Sequence, residues 1–256
     1  MKLHYRTQGN DDGTPVIILH GLFGDGLNWG GVARILKDNY RVILPDLRNH
    51  GRSPHDNDDC TYTTMAQDVS TLMIDLGLDS AHIVGHSMGG KVAMILALGQ
   101  PERVRSLTVV DIAPKVYSPR HQDVFAALKA VAEAPPESRQ EAEALLRPHL
   151  ETDAVRTFIM KNLERTDGYF AWRLNWRALW DHYPDLIDFP RSDGQYEGPV
   201  QFLTGGESDY VSAQDQALIR QFFPNAQSRE IAGTGHWLHA EKPELVARWI
   251  EEFITG

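Results

Sequence analysis

Ala81-His82-Ile83-Val84-Gly85-His86-Ser87-Met88-Gly89-Gly90-Lys91-Val92-Ala93-Met94-Ile95-Leu96-Ala97-Leu98 is the stretch that decides the fold. It opens as a short β-type run and closes as the pattern of a buried helix. Between the two, Gly85-His86-Ser87-Met88-Gly89 has the form G-x-S-x-G. Alone, so short a pattern says little. Between a strand and a helix it describes a turn so tight that side chains two before and two after the serine would collide with backbone. Such a turn lifts Ser87 clear of a sheet and sets it at a helix N-terminus, where free N–H groups and the helix dipole favour negative charge. A glycine-lined turn with an incidental serine is the plainer reading, and the flanks argue against it.

The same alternation runs outward from this stretch. Short strand-type runs at 16–19, 41–44, 82–84, 107–110, 200–203 and 228–231 alternate with amphipathic segments at 29–36, 62–76, 88–99, 213–223 and 243–254. Runs of that length separated by helix-length pieces are strands buried on both faces. The fold class predicted is α/β, a mostly parallel central sheet flanked by helices, with an edge strand at 3–7. From 113 to 198 no strand pattern is evident. Helical patterns at 120–132, 137–150, 153–163 and 170–183 are punctuated by Pro135, Pro136, Pro184 and Pro190. A structureless loop of that length is implausible. The expected organisation is a core domain of residues 1–112 and 199–256 with a helical cap, or lid, inserted at 113–198.

Composition narrows the function. The 256 residues are 42% hydrophobic, which excludes disorder, and 35 acids against 25 bases give a net charge of −10. That balance argues against nucleic acid and anionic membranes as partners. No apolar run is long enough to span a bilayer, and the first residues have no apolar core of signal-peptide length. Cys60 is the single cysteine, so an intrachain disulfide and a cysteine-based metal site are excluded. The expectation is a cytoplasmic protein, a monomer or small homo-oligomer, acting on a small molecule without metal or organic cofactor.

A serine hydroxyl needs a base, and the base needs an orienting group. Of the 11 histidines, His236 stands apart. It lies in Thr234-Gly235-His236-Trp237, after the last predicted strand and before the last helix. That is the carboxyl end of the sheet, where Ser87 also emerges. His239 is its rival, and His86 is expected to point away from Ser87.

The pieces His20-Gly21-Leu22-Phe23-Gly24, Asp46-Leu47-Arg48-Asn49-His50-Gly51, Gly85-His86-Ser87-Met88-Gly89-Gly90-Lys91, Asp111-Ile112-Ala113-Pro114 and Gly235-His236-Trp237-Leu238-His239-Ala240-Glu241-Lys242-Pro243 resemble the α/β-hydrolase superfamily. Within it they resemble most the small bacterial esterases of the YbfF type. The resemblance covers the whole chain and is weakest in the cap. It implies a serine carboxylesterase with broad acceptance of short acyl esters. It also implies an oxyanion hole built from the backbone N–H groups of Leu22 and Met88, with Phe23 the alternative to Leu22.

The acid has two candidates. The usual position in the superfamily is read from a G-x-x-D-x-x-V pattern after the strand that follows the cap. Here that strand runs into Gly205-Gly206-Glu207-Ser208-Asp209-Tyr210-Val211. An ungapped count from Gly205 to Val211 puts Ser208 in the acid position, and a count from Gly206 puts Asp209 there. A serine can hydrogen-bond His236 but cannot stabilise an imidazolium. Asp111 lies at the end of the 107–110 strand, at the same edge of the sheet, and heads the piece that resembles the YbfF-type esterases. The resemblance thus implies it as the first candidate, with Asp209 the alternative acid and Ser208 an auxiliary.

A serine at the elbow argues against a dehalogenase or an epoxide hydrolase of this fold. A thioesterase, a cofactor-free C–C hydrolase or perhydrolase, or a hydrolase-fold receptor would share the same residues. Residues 46–53 are expected to brace the oxyanion turn. Trp172, Trp176 and Trp180, spaced four apart, are expected on one helical face, packing the cap or lining an acyl pocket. Lys91 has no evident chemical role.

Overall fold

Apolar runs of four to six residues become strands here because both of their faces are covered. Val16 and Ile18 pack on one side of the sheet, Ile17 and Leu19 on the other, and all four are fully buried. A computed structural model describes residues 1–190 and 194–256. The chain opens with β1 (Tyr5–Gln8), β2 (Thr14–Leu19), α1 (Gly30–Leu36), β3 (Tyr40–Pro45) and α2 (Tyr62–Asp75). It continues through β4 (Ala81–His86), α3 (Met88–Gly99) and β5 (Val104–Val110). Helices α4 (Gln122–Glu133), α5 (Arg139–Leu146) and α6 (Asp153–Met160) follow, then strands β6 (Leu163–Thr166) and β7 (Tyr169–Trp172), then α7 (Trp176–Asp181) and α8 (Tyr183–Ile187). The last part holds β8 (Val200–Gly205), α9 (Gln216–Phe222), β9 (Ala226–Ile231), α10 (Leu238–Glu241) and α11 (Pro243–Thr255).

Among the described residues the main sheet has seven strands in the order β1-β3-β2-β4-β5-β8-β9. β1 runs antiparallel to β3, and every other pairing in that sheet is parallel. The chain steps from β2 outward to β3, then crosses back to β4 and proceeds the other way. This reversal opens a crevice beyond the carboxyl ends of β2 and β4. Residues 20–24 leave β2 there, and Ser87 follows β4. Helices α2 and α3 cover one face of the sheet. Helices α1 and α11 cover the other.

Between β5 and β8 the chain forms α4 to α8 and a second sheet made of β6 and β7. That hairpin corrects the expectation of a strandless segment. Its turn is Asp167-Gly168, with φ of 50° and 96°. An Asp-Gly pair is the commonest signal of a two-residue hairpin turn, since both positions need φ above zero. The helix expected over 170–183 is replaced by β7 and α7. Trp172 therefore lies on a strand, and only Trp176 and Trp180 share a helix. Residues 191–193 of the expected cap lie outside the described residues.

Candidate active site

Ser87 adopts φ 52° and ψ −119°, a left-handed conformation a serine seldom takes. The glycines around it make this possible. A Cβ on Gly85 would sit 2.3 Å from the Gly89 carbonyl oxygen. One on Gly89 would sit 2.5 Å from those of Leu19 and His20. α3 begins at Met88, whose N–H is thus the first free donor of the helix.

Asp111 directly follows β5, also with positive φ, at 53°. Its carboxylate is buried, and its Oδ2 accepts a 2.7 Å hydrogen bond from His236 Nδ1. The same oxygen accepts from the Ser208 hydroxyl, and Oδ1 accepts from the Gly205 N–H at 3.0 Å. Ser208 thus bonds the carboxylate rather than His236. Asp209 points elsewhere: its side chain is 78% exposed and pairs with Arg120 at 2.9 Å. Of the sequence candidates, Asp111, Ser208 and His236 are joined by hydrogen bonds, and Asp209 is not part of that network. Ser87 and His236 line one cavity, but no hydrogen bond joins them among the described residues. Such contacts commonly tighten only once substrate is bound.

His236 is held from several sides. His86 Nε2 donates to its carbonyl oxygen at 2.8 Å. Burial, and then the neighbouring His239 and His236, push His86 well below the ordinary histidine range, so it braces as a neutral ring. The Tyr210 ring stacks on His236, with centroids 3.6 Å apart and 11° between planes. His239, the rival base, is instead stacked on Trp29 and pushed by burial down to about 3.

Residues 21–24 form a turn closed by Gly24 N–H to Gly21 oxygen at 3.0 Å. The Phe23 N–H donates to His50 Nε2 at 3.2 Å. It is therefore engaged, while among the described residues no acceptor is bonded to the Leu22 or Met88 N–H. His50 Nδ1 donates to the Arg48 carbonyl at 2.9 Å, which leaves Nε2 as an acceptor. Burial first, and His20 next, hold His50 down at about 3, as this neutral tautomer requires. The loop expected to brace the turn does so through His50 and through Asp46, which accepts from the Gly26 N–H at 2.9 Å.

A cavity of about 410 Å³ reaches Ser87 and His236. Phe23, Val124, Val155, Phe158, Ile159 and Trp237 supply its apolar wall. None of Trp172, Trp176 and Trp180 lines it, which corrects the expectation that they could form an acyl pocket. Trp172 Nε1 donates to the Leu128 carbonyl at 2.7 Å, a packing role. Lys91 also gains a role. Its ammonium is buried and donates to the Ile187 and Asp188 carbonyls at 3.0 and 2.6 Å, tying α3 to the end of α8. Tyr210 and Arg120 escaped the sequence reading, because their partners are distant in the chain.

A family model described as the alpha/beta hydrolase fold matches residues 14–243. Esterase YbfF of Escherichia coli (strain K12) is 40% identical over 259 residues, spanning 100% of this chain and 100% of its own. The sn-1-specific diacylglycerol lipase ABHD11 of Mus musculus is 41% identical over 264 residues, covering 100% of this chain and 86% of its own. A solved marine microorganism esterase superposes with a TM-score of 0.94 at 38% identity, covering 98% of this chain and 99% of that one. The chain belongs to the α/β-hydrolase fold family. Within that family it is a carboxylic ester hydrolase. Among the described residues no helix is long and apolar enough to cross a membrane.

Proposed function

We propose that the chain hydrolyses short-to-medium acyl esters of small molecules through Ser87, His236 and Asp111. The observation that carries this reading is the 2.7 Å bond from His236 Nδ1 to the buried Asp111 carboxylate beside the elbow serine. That bond leaves Nε2 as the basic nitrogen. Ser87 Oγ attacks the ester carbon, and His236 Nε2 takes its proton. Asp111 stabilises the imidazolium that results. The N–H groups of Leu22 and Met88 receive the oxyanion. Collapse expels the alcohol, which takes the proton from His236, and water then releases the acid from the acyl-enzyme by the same steps.

The cavity supports a medium-length chain on one side of the ester. A second space of only about 30 Å³ also reaches Ser87, beside Met88 and Ile112, and suits a small group on the other side. Release of p-nitrophenol from acetate and butyrate esters, set beside acyl thioesters of the same lengths, tests the reading. The expected result is faster ester turnover that Ser87→Ala reduces to the residual from binding and the oxyanion hole. Turnover of Ser87→Ala within about threefold of the parent would overturn it. A clear preference for thioesters would replace the substrate class.

A further inference from the structure

Each of the three peptide groups in the turn at residues 21–24 is gripped from outside the turn. The Gly21 carbonyl accepts from His20 Nδ1 at 2.9 Å as well as from Gly24. His20 Nε2 in turn accepts the Leu47 N–H at 2.9 Å, which fixes the ring's tautomer. In a trans peptide the N–H points opposite the C=O. Two donors on the Gly21 oxygen therefore aim the Leu22 N–H the other way. The next peptide is held by His50 on the Phe23 N–H. The third is held from the inserted segment: Asn162 Nδ2 donates to the Phe23 carbonyl at 2.8 Å.

Phe23 is the weak point of this turn. Its φ is 63°, at a turn position that favours glycine, so its conformation must be imposed by its neighbours. Asn162 is well placed to impose it. It is buried, with 3% exposure, between α6 and β6. Its Nδ2 also donates to the Ile159 carbonyl at 3.3 Å, which fixes the orientation of the amide. Its main-chain carbonyl accepts the Arg173 N–H at 2.9 Å. The Phe23 ring packs edge-on against Phe125 of α4, centroids 5.1 Å apart. Arg173 Nη2 bonds Asp25 at 3.1 Å, just past the turn. Helix α4, residue 162 and residue 173 all belong to the segment inserted between β5 and β8.

From this geometry we infer that Asn162 is a positioning residue for the oxyanion donor. The inserted segment completes the oxyanion hole by holding the Phe23 carbonyl, so that the Leu22 N–H faces the reacting carbonyl. This rests on the reading of Ser87 and Leu22 given above. Asn162 touches no substrate and acts through the turn.

The test pairs turnover with a transition-state mimic. An alkyl trifluoromethyl ketone is attacked by Ser87 Oγ, the hydroxyl proton passes to His236, and the ketone oxygen becomes an oxyanion in the hole. Asn162→Asp keeps the shape and loses the donor, and Asn162→Ala removes the group. Both should lower kcat on p-nitrophenyl butyrate by about 10- to 100-fold and weaken the ketone by a matching factor, with KM within about threefold. Asn162→Ser, which keeps a donor in a smaller side chain, should recover part of both. Asn175→Ala is the control. Its Nδ2 bonds Asn49 and Asn57, so it loosens the docking of the inserted segment without touching the turn. It should leave ketone affinity within about threefold.

Unchanged ketone affinity in both Asn162→Asp and Asn162→Ala would overturn the inference. So would an equal loss in Asn175→Ala, which would mean general loosening of the segment. A parent protein that does not bind the ketone through Ser87 would instead overturn the reading of the site itself.

Discussion

Tyr210 lies flat on His236, with ring centroids 3.6 Å apart, and the Arg120 guanidinium sits 4.5 Å from the centroid of the same tyrosine. Since His236 fills one face of the ring, Arg120 occupies the other. Asp209 holds Arg120 in place. The sequence made Asp209 a candidate acid; the geometry makes it the outer end of a stack that ends on His236.

The stack makes a prediction about turnover. Tyr210→Leu removes the flat surface that fixes the imidazole plane and should lower kcat by about three- to tenfold, the size of an aromatic contact. Tyr210→Phe keeps the ring and should stay within about twofold of the parent. Steady-state kinetics on one ester checks both, and equal losses in the two variants would mean that the hydroxyl, not the ring, matters.

Lys91 predicts a pH dependence of stability. Burial pushes its ammonium down to about 7 in the folded chain, whereas an unfolded lysine holds its proton to about 10.4. Between those values the unfolded chain binds more protons, so stability rises with pH, by up to ~1.4 kcal/mol per pH unit from this group. Below pH 7 the cost of burying the charge is present in full. The neutral amine above pH 7 still has two N–H groups for the Ile187 and Asp188 carbonyls. Lys91→Met should flatten the slope between pH 7 and pH 10, as read by urea unfolding of both proteins across that range. Parallel slopes would show that Lys91 keeps an ordinary proton affinity.

Chain-length preference should reside in Phe158, not in the three tryptophans. Phe158 and Trp237, with ring centroids 5.3 Å apart, stand between the active-site cavity and a neighbouring space of about 370 Å³. Phe158→Ala joins the two and should raise the octanoate-to-butyrate ratio of kcat/KM by about fivefold or more. Trp180→Ala, on an exposed ring, should leave that ratio unchanged. A shift in Trp180→Ala alone would return the pocket to the tryptophan helix.

Local signals carried the elbow and the sheet. Residues 81–98 announce strand, turn and helix within one window, and the burial of Ile17 and Val16 on opposite faces follows from their apolar run. The β6–β7 hairpin was written in Asp167-Gly168. It was hidden because β6 buries only Leu163 and so carries no alternation to read. Neither His50 holding Phe23 nor Asn162 reaching it has a spacing signature, since their partners lie 27 and 139 positions away. The choice between Asp111 and Asp209 falls between these cases. Motif counting offered Ser208 or Asp209, the strand end and the family resemblance added Asp111, and the pairing of β5 with β8 sets Asp111 beside Gly205 and Ser208.

The most direct measurement is kcat of Asp111→Asn and Asp209→Asn on p-nitrophenyl butyrate, taken on variants with parental circular dichroism. If Asp111 is the acid, an amide at that position favours the wrong His236 tautomer and loses the charge that stabilises the imidazolium. Asp111→Asn should then fall by about 10⁴-fold. Asp209→Asn, which only frees Arg120, should fall by no more than about tenfold. A crippled Asp209→Asn beside a near-parental Asp111→Asn would contradict the assignment and move the acid to the loop after β8.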